Sequence, residues 1–414
     1  MKNNFLQHPR VLVLTSTFPR WSNDPEPAFV FELSRRLLPF FDVTVLAPRT
    51  PDSRKQEVMA GINVIRFPYF FNRWEKLAMH GGGILNKLRS NPMYYFLVPL
   101  FILAQLWKLI LLLRKERFDL IHAHWLIPQG LIAVLGLVLT KQRMPLICTS
   151  HGSDLFALRG TLLQYLKRQV MNKSNALTVV SEAMKKTVEN LGINQEKMQV
   201  ISMGVDLKHL FTPDEAVRRN DNELLFVGRL VEGKGLEILL EALPMVLNKK
   251  PEVRLTVVGG GPMEGELREL SERLNVSKNV DFLGMIEHSL LPSLYRRATL
   301  AIFPFMLTKK GVQEGFGLVI VEAMGCECPV IAGDIPAIHD SVTHEENGLI
   351  SPSGNSQALA DSILRALDNP DWCHKLAENA RRNVINKFDW DIIADKYIKL
   401  FDQLMNAKRK YDKQ

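Results

Sequence analysis

Two glutamates, Glu314 and Glu322, stand eight positions apart in EGFGLVIVE, which also contains Gly315 and Gly317. The glycines allow the backbone to approach a ligand closely, and the run that begins at Leu318 predicts a helix whose N-terminus favours an anion. Glycosidase carboxyls stand about 5 to 9.5 Å apart, whereas eight residues of helix span roughly 12 Å. The spacing therefore favours two carboxylates that hold different hydroxyls of one elongated ligand.

A second anion-binding pattern is GRLVEGKG, residues 228–235, which lies one residue away from the phosphate-binding loop G-x-x-x-x-G-K-[ST]. Gly235 follows Lys234, so the hydroxyl that ligates Mg²⁺ in an ATPase is missing and a P-loop ATPase is disfavoured. Arg229, Lys234 and a helix that begins near Leu236 predict a metal-free phosphate site. The alternative is a glycine-rich surface turn with two solvated charges.

A third glycine-rich turn, Gly259 to Gly261, follows the predicted strand VRLTVV and imitates the dinucleotide fingerprint G-x-G-x-x-G. Glu264 replaces the last glycine of that fingerprint, and Pro262 crowds the position where a pyrophosphate would approach. The pattern therefore favours a tight turn without a ligand of its own.

Histidines follow two predicted strands in the first half, in HAHW (His122, His124, Trp125) and in HGSD (His151 to Asp154). His122 and His124 share one face of a strand, but no third ligand at a familiar spacing supports zinc, so no metal is expected. Histidines at strand ends that donate hydrogen bonds to sugar hydroxyls or phosphate are the preferred interpretation. A purely structural His122 is the alternative.

Short apolar, β-rich runs alternate with helical patterns in both halves of the chain, which predicts parallel sheets in two successive α/β halves. Residues 204–222 break this alternation and predict a linker. This pattern predicts two Rossmann-like domains that face each other across a cleft, with ligands bound at the carboxyl ends of the strands. The predicted strands are 10–16, 42–48, 63–68, 119–125, 145–150, 176–181 and 198–203, then 223–229, 253–259, 280–285, 300–305, 329–333 and 348–352.

The bulk composition limits the partners. The net charge of +8 favours a polyanion, and because no nucleic-acid motif is present, a membrane surface or a phosphorylated substrate is expected. Four cysteines without framework spacing predict reduced thiols, and the short first apolar run predicts no signal peptide, so a cytoplasmic location is expected.

Residues 93–117 form a long apolar stretch with a basic end. Pro99, Gln105 and Lys108 argue against a membrane-spanning helix. Two interpretations stay open: a helix that contacts the membrane interface, and a core or surface helix of a large α/β domain.

Together these loops resemble the retaining GT-B glycosyltransferases of family 4. The resemblance covers nearly the whole chain and is carried by DLIHAHWLIPQG, TSHGSD, FVGRL with KG, VVGGGP and EGFGLVIVEAMG. It implies transfer of a hexosyl unit, with retention, from a UDP- or GDP-linked sugar that is a substrate, so that no cofactor is required. A sugar-nucleotide epimerase, a phosphorylase and a non-catalytic nucleotide-sugar-binding protein are the alternatives.

The resemblance also implies roles by position. Arg229 and Lys234 would clamp the diphosphate, Glu322 would hold the ribose hydroxyls, and Glu314 would contact the donor sugar. The other residues implied are Gly315, Phe316, Gly317 and Leu318 along the sugar, Met285 beside the base, His151 near the reacting carbon, and His124, Trp125 and Asp154 for the acceptor.

The implied organisation is an acceptor-binding domain over residues 1–204, a donor-binding domain over 205–385, and a C-terminal helix over 386–414 that crosses back to the first domain. One departure is the loop after the first strand, where Ala28 and Phe29 stand in place of an expected glycine pair. This loop is expected to shape an acceptor pocket instead. A lipid-linked saccharide acceptor at the inner face of the cytoplasmic membrane, in polysaccharide assembly, is the expected setting.

Overall fold

The computed structural model describes residues 8–21, 24, 28–51, 53–78, 84, 87–88, 91–308 and 314–411. Residues 22, 23 and 25–27 of the loop that precedes Phe29 lie outside the described residues. The chain divides into two compact units. The first comprises Met1–Val180, Met184–Ile201 and Ile393–Gln414, and the second comprises Ser181–Ala183 and Ser202–Ile392.

A mostly parallel sheet forms the centre of the first unit. Among the described residues its strand order is β3-β4-β2-β1-β5-β6-β7-β8, and only β3 pairs antiparallel, with β4. Its six inner strands, from β4 to β7 in this order, are almost fully buried apolar runs, as expected for a sheet covered on both faces. The strands are β1 Arg10–Leu14, β2 Asp42–Pro48, β3 Gln56–Met59, β4 Ile62–Phe67, β5 Leu120–His124, β6 Leu146–Ser150, β7 Ala176–Val179 and β8 Met198–Val200.

Each strand predicted in this half is confirmed, but β3 was not predicted. Its sequence QEVM is short and polar, and it lies at the edge of the sheet. Ala60 and Gly61 join β3 to β4, and both have positive φ angles, of 48° and 88°. A two-residue hairpin turn of this kind requires left-handed backbone at both positions, which an alanine adopts rarely, so the turn was not recognised.

The helices between these strands are α1 Phe29–Leu37, α2 Leu97–Lys115, α3 Leu131–Thr140, α4 Ser153–Phe156, α5 Thr161–Lys173 and α6 Glu182–Glu189. Helix α2 is long and apolar enough to cross a membrane by length and composition. One of its faces is buried, and the Gln105 side chain on that face donates to the Thr15 carbonyl oxygen at 3.4 Å. The helix therefore packs as part of the domain.

A fully parallel sheet forms the second unit, with the order β11-β10-β9-β12-β13-β14 in the described part of the chain. All strands predicted here are confirmed. The strands are β9 Glu223–Val227, β10 Arg254–Val258, β11 Val280–Gly284, β12 Leu300–Phe303, β13 Val330–Gly333 and β14 Leu349–Ser351. The helices are α7 Leu236–Lys249, α8 Glu264–Arg273, α9 Leu291–Arg297, α10 Leu318–Gly325, α11 Ser356–Asp368 and α12 Pro370–Phe388.

The last helix, α13, spans Trp390–Tyr411 and follows α12 after a break at Asp389. The Asp389 carboxylate accepts the backbone N–H groups of Leu207 and Asp391, at 3.2 and 3.0 Å, which fixes this break. From Ile393 onward the chain belongs to the first unit, where the Tyr397 hydroxyl lies 3.3 Å from both the Thr149 and Thr178 hydroxyls.

Candidate active site

In the second unit, the predicted donor-binding residues lie in the loops that follow three strands of one sheet and in helix α10. Because β11, β10, β9 and β12 are adjacent and parallel, the loops at their carboxyl ends meet at one edge of the sheet. The loop after β9 carries Arg229 and Lys234, that after β11 carries Met285, and that after β12 leads to Glu314 and α10.

An ion pair joins two of these loops: Lys234 Nζ lies 2.5 Å from Glu314 Oε2, although the residues are 80 positions apart. The two side chains are only 14% and 23% exposed. Lys234 Nζ also lies 4.3 Å from the centroid of the Phe305 ring, which stabilises the ammonium group from a second side.

Glu314 also holds the turn that leads into α10. Its Oε1 atom accepts the backbone N–H groups of Gly315 and Gly317, at 3.2 and 3.3 Å. Burial alone would raise the pKa of this carboxyl group, but the charge and hydrogen bond of Lys234 and the charge of Arg229 lower the pKa to about 2. Glu314 is therefore a carboxylate at any physiological pH, and it lies where backbone amides and a lysine converge.

The structure explains why position 235 is a glycine, which the sequence motif alone does not. Its φ angle is 68°, in the left-handed region, and a Cβ atom there would lie 1.9 Å from the Pro304 carbonyl oxygen. A serine or threonine at this position would strain the turn and collide with the loop after β12. Glycine after Lys234 thus allows the two loops to pack backbone against backbone.

The glycine triplet has a similar packing role. A Cβ atom on Gly259 would lie 1.9 Å from the Gly228 carbonyl oxygen, and one on Gly261 would lie 2.4 Å from that of Leu230. The Leu230 N–H donates to the Gly260 carbonyl oxygen at 3.0 Å. The triplet therefore supports the turn that carries Arg229, in agreement with the prediction of a tight turn.

Glu322 lies inside α10, and its side chain is 8% exposed. The Tyr295 hydroxyl donates to its Oε2 atom at 3.4 Å, and His288 Nε2 lies 3.0 Å from its Oε1 atom. Burial, followed by the nearby Glu322 charge, raises the pKa of Tyr295 well above 10, so this hydroxyl remains a donor. One carboxylate oxygen is thus held by a buried tyrosine, and the other meets a half-exposed histidine.

The remaining predicted donor-binding residues differ in how much of their side chains is exposed to a ligand. The Phe316 side chain is fully buried against Phe388, so Phe316 is limited to its backbone groups at the site. Leu318 is half-buried at the start of α10, and Met285 is 71% exposed beside Gly260.

In the first unit, the predicted histidines form one cluster. His124 Nδ1 lies 3.0 Å from His151 Nε2, and His122 Nε2 lies 2.7 Å from the Thr149 hydroxyl. Burial lowers the pKa of His122 and of His151 to about 3, and it lowers that of His124 well below 6.5, with the neighbouring histidine charges adding to the effect. All three rings are neutral at physiological pH.

Among the described residues, one ring nitrogen of each histidine is buried without a hydrogen-bond partner: His122 Nδ1, His124 Nε2 and His151 Nδ1. The bond between His124 Nδ1 and His151 Nε2 requires one ring to donate and the other to accept. Whichever ring donates, one of the two unpartnered nitrogens of this pair carries a hydrogen and the other carries a lone pair. The pair therefore offers one buried donor and one buried acceptor.

Aromatic rings surround His151. Its ring centroid lies 4.7 Å from that of Phe29 and 4.9 Å from that of Trp125, and all three residues are half-buried. Trp125 has a φ of 74°, which is rare for a residue with a bulky side chain, and its N–H donates to the Thr149 carbonyl oxygen at 2.7 Å. Strained backbone of this kind is commonly retained where it positions a functional side chain.

Asp154, predicted at the acceptor, is 1% exposed. Its carboxylate accepts the backbone N–H groups of Leu126 and His151, at 2.7 and 3.2 Å, and the Ser150 hydroxyl at 2.9 Å. With both oxygens engaged, Asp154 holds together the two loops that carry Trp125 and His151.

Comparison with known proteins decides the family. The model described as Glycosyltransferase Family 4 matches residues 28–209, and the model described as Glycosyl transferases group 1 matches residues 210–383. The chain is a GT-B glycosyltransferase of the family 4 type. The boundary between the two matches falls inside the predicted linker.

Similar proteins span almost the full length of this glycosyltransferase. The phosphatidyl-myo-inositol mannosyltransferase of Mycobacterium leprae is 26% identical over 373 residues, which is 89% of this chain and 90% of that protein. The solved sucrose-phosphate synthase of Thermosynechococcus elongatus has a TM-score of 0.77 at 22% identity, covering 97% of this chain and 100% of that one. The Anabaena protein HepE in complex with UDP-glucose has a TM-score of 0.72 at 19% identity, covering 96% and 100%.

Two site residues of the glycosyltransferase were missed in the sequence, His288 and Tyr295. Both bond to Glu322 from 34 and 27 positions away, so no local spacing links them to it. The available signal for His288 was its place in the loop after the predicted strand VDFLG, at the carboxyl edge of the sheet.

The packing role of Gly235 predicts that Gly235→Ser lowers the free energy of unfolding by more than about 2 kcal/mol, since left-handed backbone and a carbonyl clash add together. The matched control is Gly265→Ala in α8, where no atom lies within 4 Å of the new Cβ. Urea unfolding measures both variants. A Gly235→Ser protein as stable as the control would contradict the packing role.

The buried histidines predict acid sensitivity. Below pH 6.5 the unfolded chain binds a proton at His122 that the folded protein, with a pKa of about 3, does not bind. The contribution of His122 to the free energy of unfolding is therefore fully present above pH 6.5 and is lost as the pH falls toward 3. At pH 5 the loss from this one ring is about 2 kcal/mol.

In His122→Gln, which retains a hydrogen-bonding group for Thr149, the loss between pH 7.5 and pH 5 should be smaller than in the wild type by about that amount. Urea unfolding at the two pH values gives the difference. An identical loss in both proteins would show that His122 is not the group that titrates.

Proposed function

We infer that this glycosyltransferase moves a hexosyl unit from a UDP- or GDP-linked sugar to a hydroxyl group of a saccharide acceptor, with retention of the anomeric configuration. The observation that carries the proposal is the Lys234–Glu314 pair at the N-terminus of α10, with Arg229 beside it. Two cations, a helix N-terminus and one fixed carboxylate form a site for a diphosphate joined to a polyhydroxyl group.

The proposed chemistry follows the charges. When the bond between the sugar and the phosphate breaks, negative charge grows on the leaving diphosphate and positive character grows on the sugar. Arg229, Lys234 and the backbone amides of α10 would stabilise the departing phosphate without reorganising. We propose that these groups suffice without a metal or cofactor.

Retention is proposed from the resemblance to the retaining enzymes of family 4. The two oxygens of Glu314 are held by Lys234 and by backbone N–H groups, so this carboxylate is not placed as a nucleophile and is proposed to contact the donor sugar. We propose that the acceptor hydroxyl attacks on the same face from which the diphosphate leaves. His151, through its Nδ1 atom, is proposed to contact the transferred sugar.

Glu322 is proposed to accept the ribose hydroxyls. Because Tyr295 holds Oε2, the ribose would meet Oε1, the atom that His288 contacts. His288 has a 56% exposed side chain and lies in the same loop as Met285, which is proposed to border the base.

The acceptor is proposed to bind in the first unit, at the aromatic cluster of Phe29, Trp125 and His151. Half-buried rings suit the apolar face of a sugar. The name of the Mycobacterium leprae relative, a phosphatidyl-myo-inositol mannosyltransferase, supports a lipid-linked acceptor for this chain also. A place on the inner face of the cytoplasmic membrane, in polysaccharide assembly, suits such an acceptor.

The three alternatives differ from transfer in their products. An epimerase would convert one nucleotide sugar into another without releasing a nucleoside diphosphate, and a phosphorylase would consume phosphate. A non-catalytic binding protein would release nothing. Chromatography of the nucleotide products with a saccharide acceptor present distinguishes all three from transfer.

Lys234→Ala and Arg229→Ala are each expected to lower kcat by a factor of about 10² or more, because each removes a cation from the leaving group. Lys249→Ala is the matched control, since it removes an exposed lysine from the far end of α7. Initial rates of nucleoside diphosphate release and thermal unfolding are measured for all three. Near-normal turnover in either site variant would contradict its role.

Ligand-induced stabilisation identifies the donor. A ligand at 100 times its Kd adds about 2.7 kcal/mol to the free energy of unfolding, which raises the Tm by a few degrees. Thermal shifts with UDP-, GDP- and ADP-sugars should rank the true donor first, and Glu322→Gln should reduce its shift. If no nucleotide sugar raised the Tm of the wild type, the proposal that these loops bind a nucleotide-sugar donor would be contradicted.

A further inference from the structure

The outward face of α2 is apolar. Leu103, Trp107 and Leu111 recur every four positions and are 61%, 63% and 43% exposed. A spacing of four keeps these side chains on one stripe of the helix, opposite the buried face that packs on the domain. Tyr95 and Phe96, just before the helix, are 59% and 49% exposed and extend the stripe.

Helix α3 adds a second stripe beside the first. Leu135, Val138 and Leu139 are 37%, 63% and 55% exposed. A Cβ atom on Gly136 would lie 2.6 Å from the Leu109 side chain, so the two helices pack closely. The connections from β4 to β5 and from β5 to β6 cross the sheet in the same direction, so right-handed crossovers place both helices on one side of it.

Positive charge collects where both helices end. Exposed cations follow the apolar stripes: Arg114 and Lys115 in the last turn of α2, Arg117 just after it, and Lys141 and Arg143 after α3. Between residues 91 and 143 the only acidic residues in the sequence are Glu116 and Asp119. Glu116 is paired with the Arg10 guanidinium at 2.5 Å, whereas Asp119 accepts only the backbone N–H of Arg10, at 2.8 Å, so the five cations outnumber the acidic groups near them.

A pocket of 510 Å³ opens at this basic end. Lys108, Arg114, Lys115 and the carboxylate of Glu116 line it together with Gln56, Ile65, Leu111 and Leu112. Three cations against one carboxylate leave the lining positive, which suits a phosphate whose substituent is apolar. Exposed apolar side chains that cluster on a protein surface commonly mark an interaction site.

We propose that the outward face of α2 and α3 docks on an anionic phospholipid bilayer, with a lipid phosphate in the pocket at the end of α2. The apolar stripes enter the interface, and the basic ends contact the headgroups. A bilayer fits better than a second copy of this chain, because five exposed like charges beside the stripes would repel their counterparts in a symmetric dimer. The inference concerns this surface alone and does not depend on the donor or on the transfer reaction.

The test is sedimentation of the full chain with vesicles, without donor or acceptor. The wild type should bind vesicles of equal parts phosphatidylglycerol and phosphatidylcholine, and bind phosphatidylcholine alone much more weakly. In the variant with Leu103→Ser, Trp107→Ser and Leu111→Ser, the affinity for the anionic vesicles should fall by a factor of about ten or more. Arg114→Gln with Lys115→Gln should cause a similar loss, which vanishes at high salt.

Matched controls are Val58→Ser, which removes a 74% exposed apolar side chain elsewhere in the first unit, and Lys249→Gln with Lys278→Gln, two exposed lysines of the second unit. Both should bind as the wild type does, and circular dichroism should show that all variants are folded. The proposal would be overturned if the wild-type protein did not bind anionic vesicles. It would also be overturned if light scattering showed that the wild type is a dimer and the serine variant a monomer, while neither bound vesicles.

Discussion

The ion pair between Lys234 and Glu314 is the interaction on which the donor site depends. It joins loops after β9 and β12, and a carboxylate with so little solvent contact would be costly without a cation. The pair forms only because the two backbones approach closely, and Gly235 against the Pro304 carbonyl oxygen permits that approach. Glu314 in turn fixes Gly315 and Gly317 at the N-terminus of α10, so one contact positions a cation, an anion and a set of amides.

In the first unit, the buried histidines avoid the cost of burial by staying neutral, whereas the buried carboxylate of the second unit is paired with a cation. His122, His124 and His151 have pKa values too low to carry charge, and they exchange hydrogen bonds with each other and with Thr149. A neutral cluster leaves one nitrogen of His151 able to form a hydrogen bond to a ligand without adding a buried charge. Such a group suits a sugar hydroxyl, which both donates and accepts, as the charged loops of the second unit suit a diphosphate.

The sequence predicted the strands well because buried parallel strands are short apolar runs bounded by polar turns. It predicted where α7 and α10 begin, since Gly235 and Gly317 end the preceding turns in left-handed conformation. Strand β3 was missed because an edge strand has little apolar pattern. The conclusion that Gly235 merely lacks a magnesium-binding hydroxyl was incomplete, because the carbonyl it avoids belongs to a loop nearly 70 residues later.

Side-chain partners were the least predictable part of the site. Glu322 was recognised by its spacing from Glu314, but Tyr295 and His288 reach it only through the fold. Asp154 was expected at the acceptor because it follows His151 in a strand-end loop, whereas its burial engages both oxygens in holding that loop. Residue type and loop position indicate which edge of the sheet is functional; burial and hydrogen bonds decide which atoms are available to a ligand.

A crystal structure of the protein with the nucleoside diphosphate that stabilises it most tests the central claim directly. The account predicts diphosphate oxygens within hydrogen-bond distance of Lys234 Nζ and the Arg229 guanidinium, with ribose hydroxyls at Glu322 Oε1. A diphosphate bound away from the loops after β9 and β12, with Lys234 making no contact to it, would contradict the account.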